Sequence, residues 1–440
     1  MGGQAFAHHV PPLSTPRMPG SIYQLMRDAI LTVLRIHYTD AKTPIEAPGK
    51  GDYGDIDILV HGPLTLQFDP AKTHKKEVAQ AIGSKIHAHA LVVGQAEQPM
   101  HFAVRWPKEK VVEPRNGGTT VQAVVDDHEA RYIQVDVHVC KDFRTFRWEY
   151  FHSAHGDLWN ILGSTIRKFG FTVNDKGLFI RIPEIEQFDK KKSMVFLTEQ
   201  PVCILDFLGL NPTRWFMEFE TRKDMFEYAA GCRLFWVKDE LALEDGEMEG
   251  DVVGDIDNGG QTGGEAGKKK LKHNDRQRMA KRPIFKEWIE DFIPQLRAEG
   301  KYCDAKCTRE QIRDEAFAQF GVKEEWDLKL KEWKLGRHTD ELWRDVIKGS
   351  VPESLDPQQR AATIRELKEI IMEGQPFQGI VPDAAKKDEE GFYDFEKVRD
   401  FIKQNLKTVG EVGWKKQQQR AMERMRESEQ KKRKVDPENP

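Results

Sequence analysis

Cysteine is scarce: the 440-residue chain has five, too few and odd in number for a disulfide scaffold. No run of about 18 apolar residues occurs, which argues against a membrane-spanning helix. The opening MGGQAFAHHVPPLSTPRMPG lacks the apolar segment of a secretory signal. A charge excess is missing as well. The 68 Lys and Arg against 72 Asp and Glu leave −4, so any surface for a polyanion has to be local. Neither a Gly-x-x-x-x-Gly-Lys-Ser/Thr loop nor a G-x-G-x-x-G after a strand is present, which argues against P-loop and Rossmann sites. Apolar residues make up 39% and charged residues 32%, against about 45–50% and about 25% in ordinary globular chains. These shortages point to a soluble protein of a reducing compartment without a membrane partner, with a core and long polar tails.

The length suggests about two to three domains. Residues 1–20 are rich in Pro, Gly and Ser and read as a flexible lead-in. From Ser21, the apolar residues Ile22, Leu25, Met26, Ile30, Val33 and Leu34 recur at helical spacing. Strand-like runs follow at IDILV, Ala90–Gly94, His101–Trp106, Val121–Val125 and Tyr132–Cys140, with a helix expected around His74–His87. Helices dominate from His155 to about Trp236, apart from a strand-like LFIRI at Leu178–Ile182. Residues 239–280 are acidic and Gly-rich, then basic, a composition that cannot repay the entropy of ordering, so a disordered linker is expected. Beyond Pro283 the chain reads as helical to about 410, with a capping box at Thr308–Gln311 and an N-cap at Asp356-Pro357. Residues 411–440 read as a charged helix and basic tail.

The sharpest signal is Gly54-Asp55-Ile56-Asp57-Ile58-Leu59-Val60. Side chains alternate along a strand, so Asp55 and Asp57 share one face, about 7 Å apart, while Ile56, Ile58 and Val60 pack the other. In Gln134-Val135-Asp136-Val137-His138-Val139, the valines supply the buried face and Asp136 shares the other with Gln134 and His138. If these strands are neighbours, three carboxylates converge. Such hard oxygen ligands suit Mg²⁺ (or Mn²⁺), two ions of which serve phosphoryl or nucleotidyl transfer. A second GDID, Gly254–Asp257, is followed by Asn258-Gly259-Gly260 rather than an apolar strand and reads as linker.

These segments resemble the polymerase β-like branch, family X, of the nucleotidyltransferases. GDIDILV looks like the strand carrying that family's first two metal aspartates, and VDVHV like the strand carrying the third. Tyr150-Phe151-His152-Ser153-Ala154 is similar to the YFTGS turn lining the incoming nucleotide's sugar. Asp157-Leu158-Trp159-Asn160, then GFTVND at Gly170–Asp175, then LTEQPVCILDFLGLNP at Leu197–Pro212 follow in the family's order. The resemblance spans roughly residues 21–216. It implies an α+β chain with a nucleotidyltransferase palm (mixed sheet with helices) at 21–148 and an α/β thumb at 149–238, ahead of the all-α region read from the sequence itself at 281–410. It further implies metal and catalytic roles for Asp55, Asp57 and Asp136, and nucleotide contacts for Tyr150, Phe151, Asp157 and Asn160. The substrates implied are a nucleoside triphosphate and a DNA or RNA 3′ end.

There are departures. The family's triphosphate-gripping Gly-Ser pair falls near Pro44-Ile45 and is absent; Lys42, Lys50 or Gly49–Gly51 are the nearby candidates to replace it. Gln134 and His138 stand where basic residues usually flank the third aspartate, and the thumb arginine is replaced near Gly163-Ser164, with Arg167 one turn on. No lyase domain is expected ahead of the first helix. These losses support an alternative, a catalytically inactive adaptor of the same fold that binds nucleic acid or protein, with the C-terminal helices as a protein-docking region. Lys431-Lys432-Arg433-Lys434 has the form of a nuclear import signal, and Lys268–Arg282 is a second basic cluster. Nuclear residence is therefore expected. Cys303 and Cys307 lack a second pair at zinc-finger spacing, His87 and His89 read as surface histidines, and Trp288, Phe292, Trp326, Trp333 and Trp343 read as helix–helix core.

Overall fold

The computed structural model describes residues 3–95, 98–107, 111–115, 118–122, 130–237 and 282–435. The chain is α+β and divides into two units, Met1–Lys323 and Glu324–Pro440. The acidic and basic stretch expected as a linker, with its GDID copy and most of the Lys268–Arg282 cluster, lies outside the described residues.

Helix α1 (Gly20–Leu34) opens the framework and leads into strand β1 (Tyr38–Lys42). Strand β2 (Ile56–Pro63), helix α2 (Lys75–Lys85), strands β3 (Ala88–Val93) and β4 (Met100–Arg105), and strand β5 (Tyr132–Val139) complete the first layer. They form a mixed five-stranded sheet in the order β1-β2-β5-β4-β3, with β2 and β5 parallel and the other pairings antiparallel. The alternation read from sequence sets its faces: Ile56, Ile58, Val60, Val135 and Val137 are all fully buried against Ile30 and Leu34 of α1 and Val78 and Ile82 of α2. The strand expected at Val121–Val125 is found three residues earlier, at Gly118–Gln122. It pairs with Val111–Arg115 in a separate two-stranded ribbon rather than joining the sheet.

The N-terminal segment corrects the expectation of a flexible lead-in. Phe6 and Met18 are fully buried, and Phe6 packs with Ala103 and Tyr132 on the face of the sheet opposite α1. Ser14 bridges Arg131, and Met18–Pro19 pairs with Asp52–Tyr53. Pro and Gly there shape a strap whose aromatic anchor supplies the ordering energy. Phe6→Ala is expected to destabilise the first unit by about 3 kcal/mol. A chemical denaturation midpoint indistinguishable from that of the unaltered chain would contradict this packing.

Helix α3 (Phe143–His152) is capped by Asp142, which accepts from Thr145 N at 2.7 Å, and α4 (Leu158–Ile166) follows. Strands β6 (Phe171–Asn174), β7 (Gly177–Arg181) and β8 (Met194–Thr198) make a three-stranded antiparallel sheet, of which only LFIRI was legible as a strand. Helix α5 (Arg222–Ala230) carries a Thr221–Asp224 capping box.

Residues 282–323 belong to this first unit, not to the separate helical region expected from 281 onward. Trp288 is 1% exposed and packs against Phe226 and Phe235. Arg222 reaches Glu287 at 2.6 Å, and Arg309 reaches Glu186 at 2.8 Å. The Thr308–Gln311 capping box forms as read and opens helix α6 (Arg309–Phe320). Helical periodicity reports that a segment is a helix but not which core its apolar face joins.

The second unit holds α7 (Lys323–Glu341) from its second residue on, α8 (Pro357–Ile371, capped by Asp356) and α9 (Phe395–Val435), with Leu342, Val346, Leu367, Ile370, Val398 and Ile402 in its core. Gly413 lets α9 approach α8 closely, since a Cβ there would lie 2.6 Å from Ala362 O. α9 runs unbroken through the boundary expected at 410–411. The Lys431–Lys434 side chains lie outside the described residues. Among the described residues, no helix is long and apolar enough to cross a membrane.

Candidate metal centre and cleft

The parallel register of β2 and β5 sets Asp57 directly beside Asp136, and Asp55 immediately precedes β2. One carboxylate oxygen from each of Asp55, Asp57 and Asp136 falls within 4.8 Å of the others. The convergence expected from two D-containing strands is present.

Asp136 is 8% exposed and firmly held. Gln134 Nε2 donates to its two oxygens at 2.9 and 3.1 Å, and His101 Nδ1 lies 2.8 Å from Oδ1. Gln134 is oriented in turn by Ala5 N, which donates to its Oε1 at 2.9 Å, so the N-terminal strap braces the centre. A carboxylate has about four lone-pair sites; these bonds leave room for a cation. His101 was not identified from sequence. It reaches Asp136 because β4 pairs antiparallel with β5 in the register His101↔Asp136, a partnership that local sequence does not encode. Hydrogen bonding to Asp136 raises the His101 pKa against the opposing effect of burial.

The electrostatics are those of crowded acids. Burial and then the charge of Asp136 raise the Asp55 pKa. Asp57 is pushed up to about 7, by burial first and then by Asp55, Asp136 and Glu46, with Lys50 opposing. Its outer surface stays open to solvent, so water screens part of this crowding. In the metal-free state the fold therefore holds a proton that the unfolded chain has released between pH 3.8 and about 7. Stability from this group is full at low pH and lost as pH rises through that interval. In EDTA, the Tm advantage of Asp57→Asn over the unaltered chain is expected to grow from pH 5 to pH 8, and Mg²⁺ to change that difference. An advantage that shrinks as pH rises would contradict this.

Beside the acids lies a cleft of about 330 Å³ lined by Pro44, Ile45, Glu46, Lys50, Asp57, Asp136, His138, Glu149, Ser153 and Gly156, among others. Its lip, residues 43–51, is tied down on several sides. Tyr23 donates to Glu46 at 2.8 Å, Arg222 Nη2 donates to Gly49 O at 3.0 Å, and His155 N donates to Ile45 O at 2.6 Å. Lys50, one of the residues considered in place of the Gly-Ser pair, lines the cleft but pairs with Glu46 at 2.8 Å.

The four expected nucleotide contacts are placed differently from one another. Ser153 and Gly156, in the turn after α3, reach the cleft, but Phe151 is fully buried among Trp159, Trp215 and Phe216 and backs the wall instead. Tyr150 is half-buried under Lys42, whose Nζ lies 5.0 Å from the ring centroid. Asp157 pairs with Arg282 at 2.5 Å and accepts from Asn160 Nδ2 at 3.4 Å. Neither Asp157 nor Asn160 is among the residues lining the cleft. Cys303 and Cys307 are free thiols of intermediate exposure, and His89 stacks on Tyr132. Comparison with protein-family models and with curated proteins returns no match for this chain.

Proposed function

We propose that the chain is a Mg²⁺-dependent nucleotidyltransferase of family X character, with a palm formed by the five-stranded sheet and a thumb by the three-stranded sheet and its helices. The observation that carries this reading is the convergence of Asp55, Asp57 and Asp136 at the edge of an open cleft. Burial, and then the neighbouring carboxylates, raise the pKa values of Asp55 and Asp57, and a divalent cation among the three acids would relieve both effects. Asp55 and Asp57 would hold two ions between them, and Asp136 would hold the one facing the attacking oxygen; the ions supply charge stabilisation to the transferring phosphoryl group. The Gln134 and His101 bonds fix Asp136 in one rotamer. The substrates would be a nucleoside triphosphate and a nucleic-acid 3′ end, and the import-signal-like tail accords with work in the nucleus.

Primer extension with the purified chain, a labelled DNA or RNA primer and each nucleoside triphosphate in Mg²⁺ or Mn²⁺ tests the reading. Incorporation that requires the metal supports it, and none with any primer or nucleotide contradicts it. Two features favour the inactive adaptor as a second reading: Pro44 and Ile45 line the cleft where the family's Gly-Ser pair would stand, and the cleft's Lys50 is already paired with Glu46. Calorimetry with Mg²⁺ and a triphosphate separates the two, since the adaptor would bind neither.

A further inference from the structure

Three side chains that this chemistry leaves unused meet farther along the same strand face. Gln134, Asp136, His138 and Cys140 alternate onto one side of β5 and the residue after it, and α3 brings Glu149 across to them. His138 Nδ1 lies 2.5 Å from Glu149 Oε2, and Cys140 Sγ lies 3.7 Å from the same oxygen. One ligand atom from each residue falls within 4.8 Å of the others. In a tetrahedral site with metal–ligand bonds of about 2.0–2.3 Å, neighbouring ligand atoms stand about 3.3–3.7 Å apart. Shifts on the order of 1 Å would therefore close the trio around an ion.

The surroundings also fit. His138 and Glu149 line the cleft, while Cys140, 2% exposed, sits behind them against Leu59 and Phe146. Without a cation, the polar neighbour of this buried thiol is a carboxylate, and burial together with Glu149 pushes its pKa far up. A divalent cation would neutralise the acid and stabilise the thiolate together.

We propose that His138, Cys140 and Glu149 bind a borderline-soft divalent ion of the zinc class, with a fourth coordination position open to the cleft. The N, S, O donor set separates this site from the three-aspartate centre, whose all-oxygen ligands suit hard cations. The two sites lie about 7 Å apart along β5. Three protein ligands and an open position match the arrangement that leaves a water or substrate atom on the metal. The proposal stands whether or not the chain transfers nucleotides.

Cobalt(II), added to the full-length chain after chelator treatment, is the probe. Expected is an ion with tetrahedral visible absorption and a thiolate-to-cobalt charge-transfer band, distinct from any cobalt held by the all-oxygen three-aspartate centre. Cys140→Ser should remove that band, while Asp57→Asn and a Cys303→Ser/Cys307→Ser double variant should keep it. Glu149→Gln retains the thiolate, so it should keep the band but weaken binding at least about tenfold; this holds the test open if Cys140→Ser does not fold. The proposal fails if folded wild-type chain shows no band, if the band survives Cys140→Ser, if it disappears in the double variant, or if Glu149→Gln binds as tightly as wild type.

Discussion

Replacing Asp57 with Asn is expected to lower nucleotide incorporation on the order of 10³-fold while raising the melting temperature of the metal-free protein. Both effects have the same origin. The sheet register sets Asp57 beside Asp136, with Asp55 two residues before it on the same face, and the Asp57 carboxyl is pushed up to about 7 by burial first and then by those neighbouring charges. Mg²⁺ turns the repulsion into coordination. Lost coordination at the centre removes several kcal/mol of charge stabilisation in the transition state, and each 1.36 kcal/mol is a factor of ten. Asn keeps the shape and removes the charge, so in EDTA the variant escapes the repulsion and melts higher. A variant that loses activity and also melts lower in EDTA would show that Asp57 is structural. One that keeps near-full activity would remove it from the chemistry.

The second large effect is on stability. Trp288→Ala is expected to cost the first unit about 3–5 kcal/mol, the usual range for deleting a buried aromatic. The indole is 1% exposed and packs against Phe226 and Phe235, with centroid separations of 5.5 and 5.3 Å, and stacks on Phe292 at 5.1 Å. These contacts draw a segment distant in sequence into the unit that carries the cleft. Arg222 adds a link, gripping Glu287 with one guanidinium nitrogen and Gly49 O at the cleft lip with another. Hydrogen exchange locates the damage: amides of α4, α5 and residues 283–298 should lose protection, while those of α8 should not. Loss confined to 283–298 would indicate that this segment is an appendage.

The legible parts of the fold were those that a single strand or helix determines by itself. Alternation in IDILV and VDVHV separated the buried Ile56, Ile58, Val135 and Val137 from the aspartates, because a strand's two faces are fixed by its own pleat. The Thr308 and Asp356 caps were legible because a cap bonds within three residues. What escaped depends on pairing between distant segments. His101 meets Asp136 only through an antiparallel register, and Glu149 meets His138 and Cys140 only once α3 packs on Leu59 and Cys140 through Phe146. Phe6 escaped because a lone aromatic in a Pro- and Gly-rich stretch carries no periodicity. Tyr150 and Phe151 were adjacent in a motif, yet one faces Lys42 and the other is sealed in the aromatic core.

The most direct measurement is Mn²⁺ binding followed by the free-ion electron paramagnetic resonance signal, because it reads the three-aspartate centre without requiring a primer or nucleotide. Wild-type chain is expected to take up at least one Mn²⁺ per molecule, competed by Mg²⁺. Asp55→Asn, Asp57→Asn and Asp136→Asn should each weaken uptake, and the triple variant should abolish it. Equal uptake by wild type and the folded triple variant would mean that these aspartates do not hold the ion, and the nucleotidyl-transfer account would fall with them.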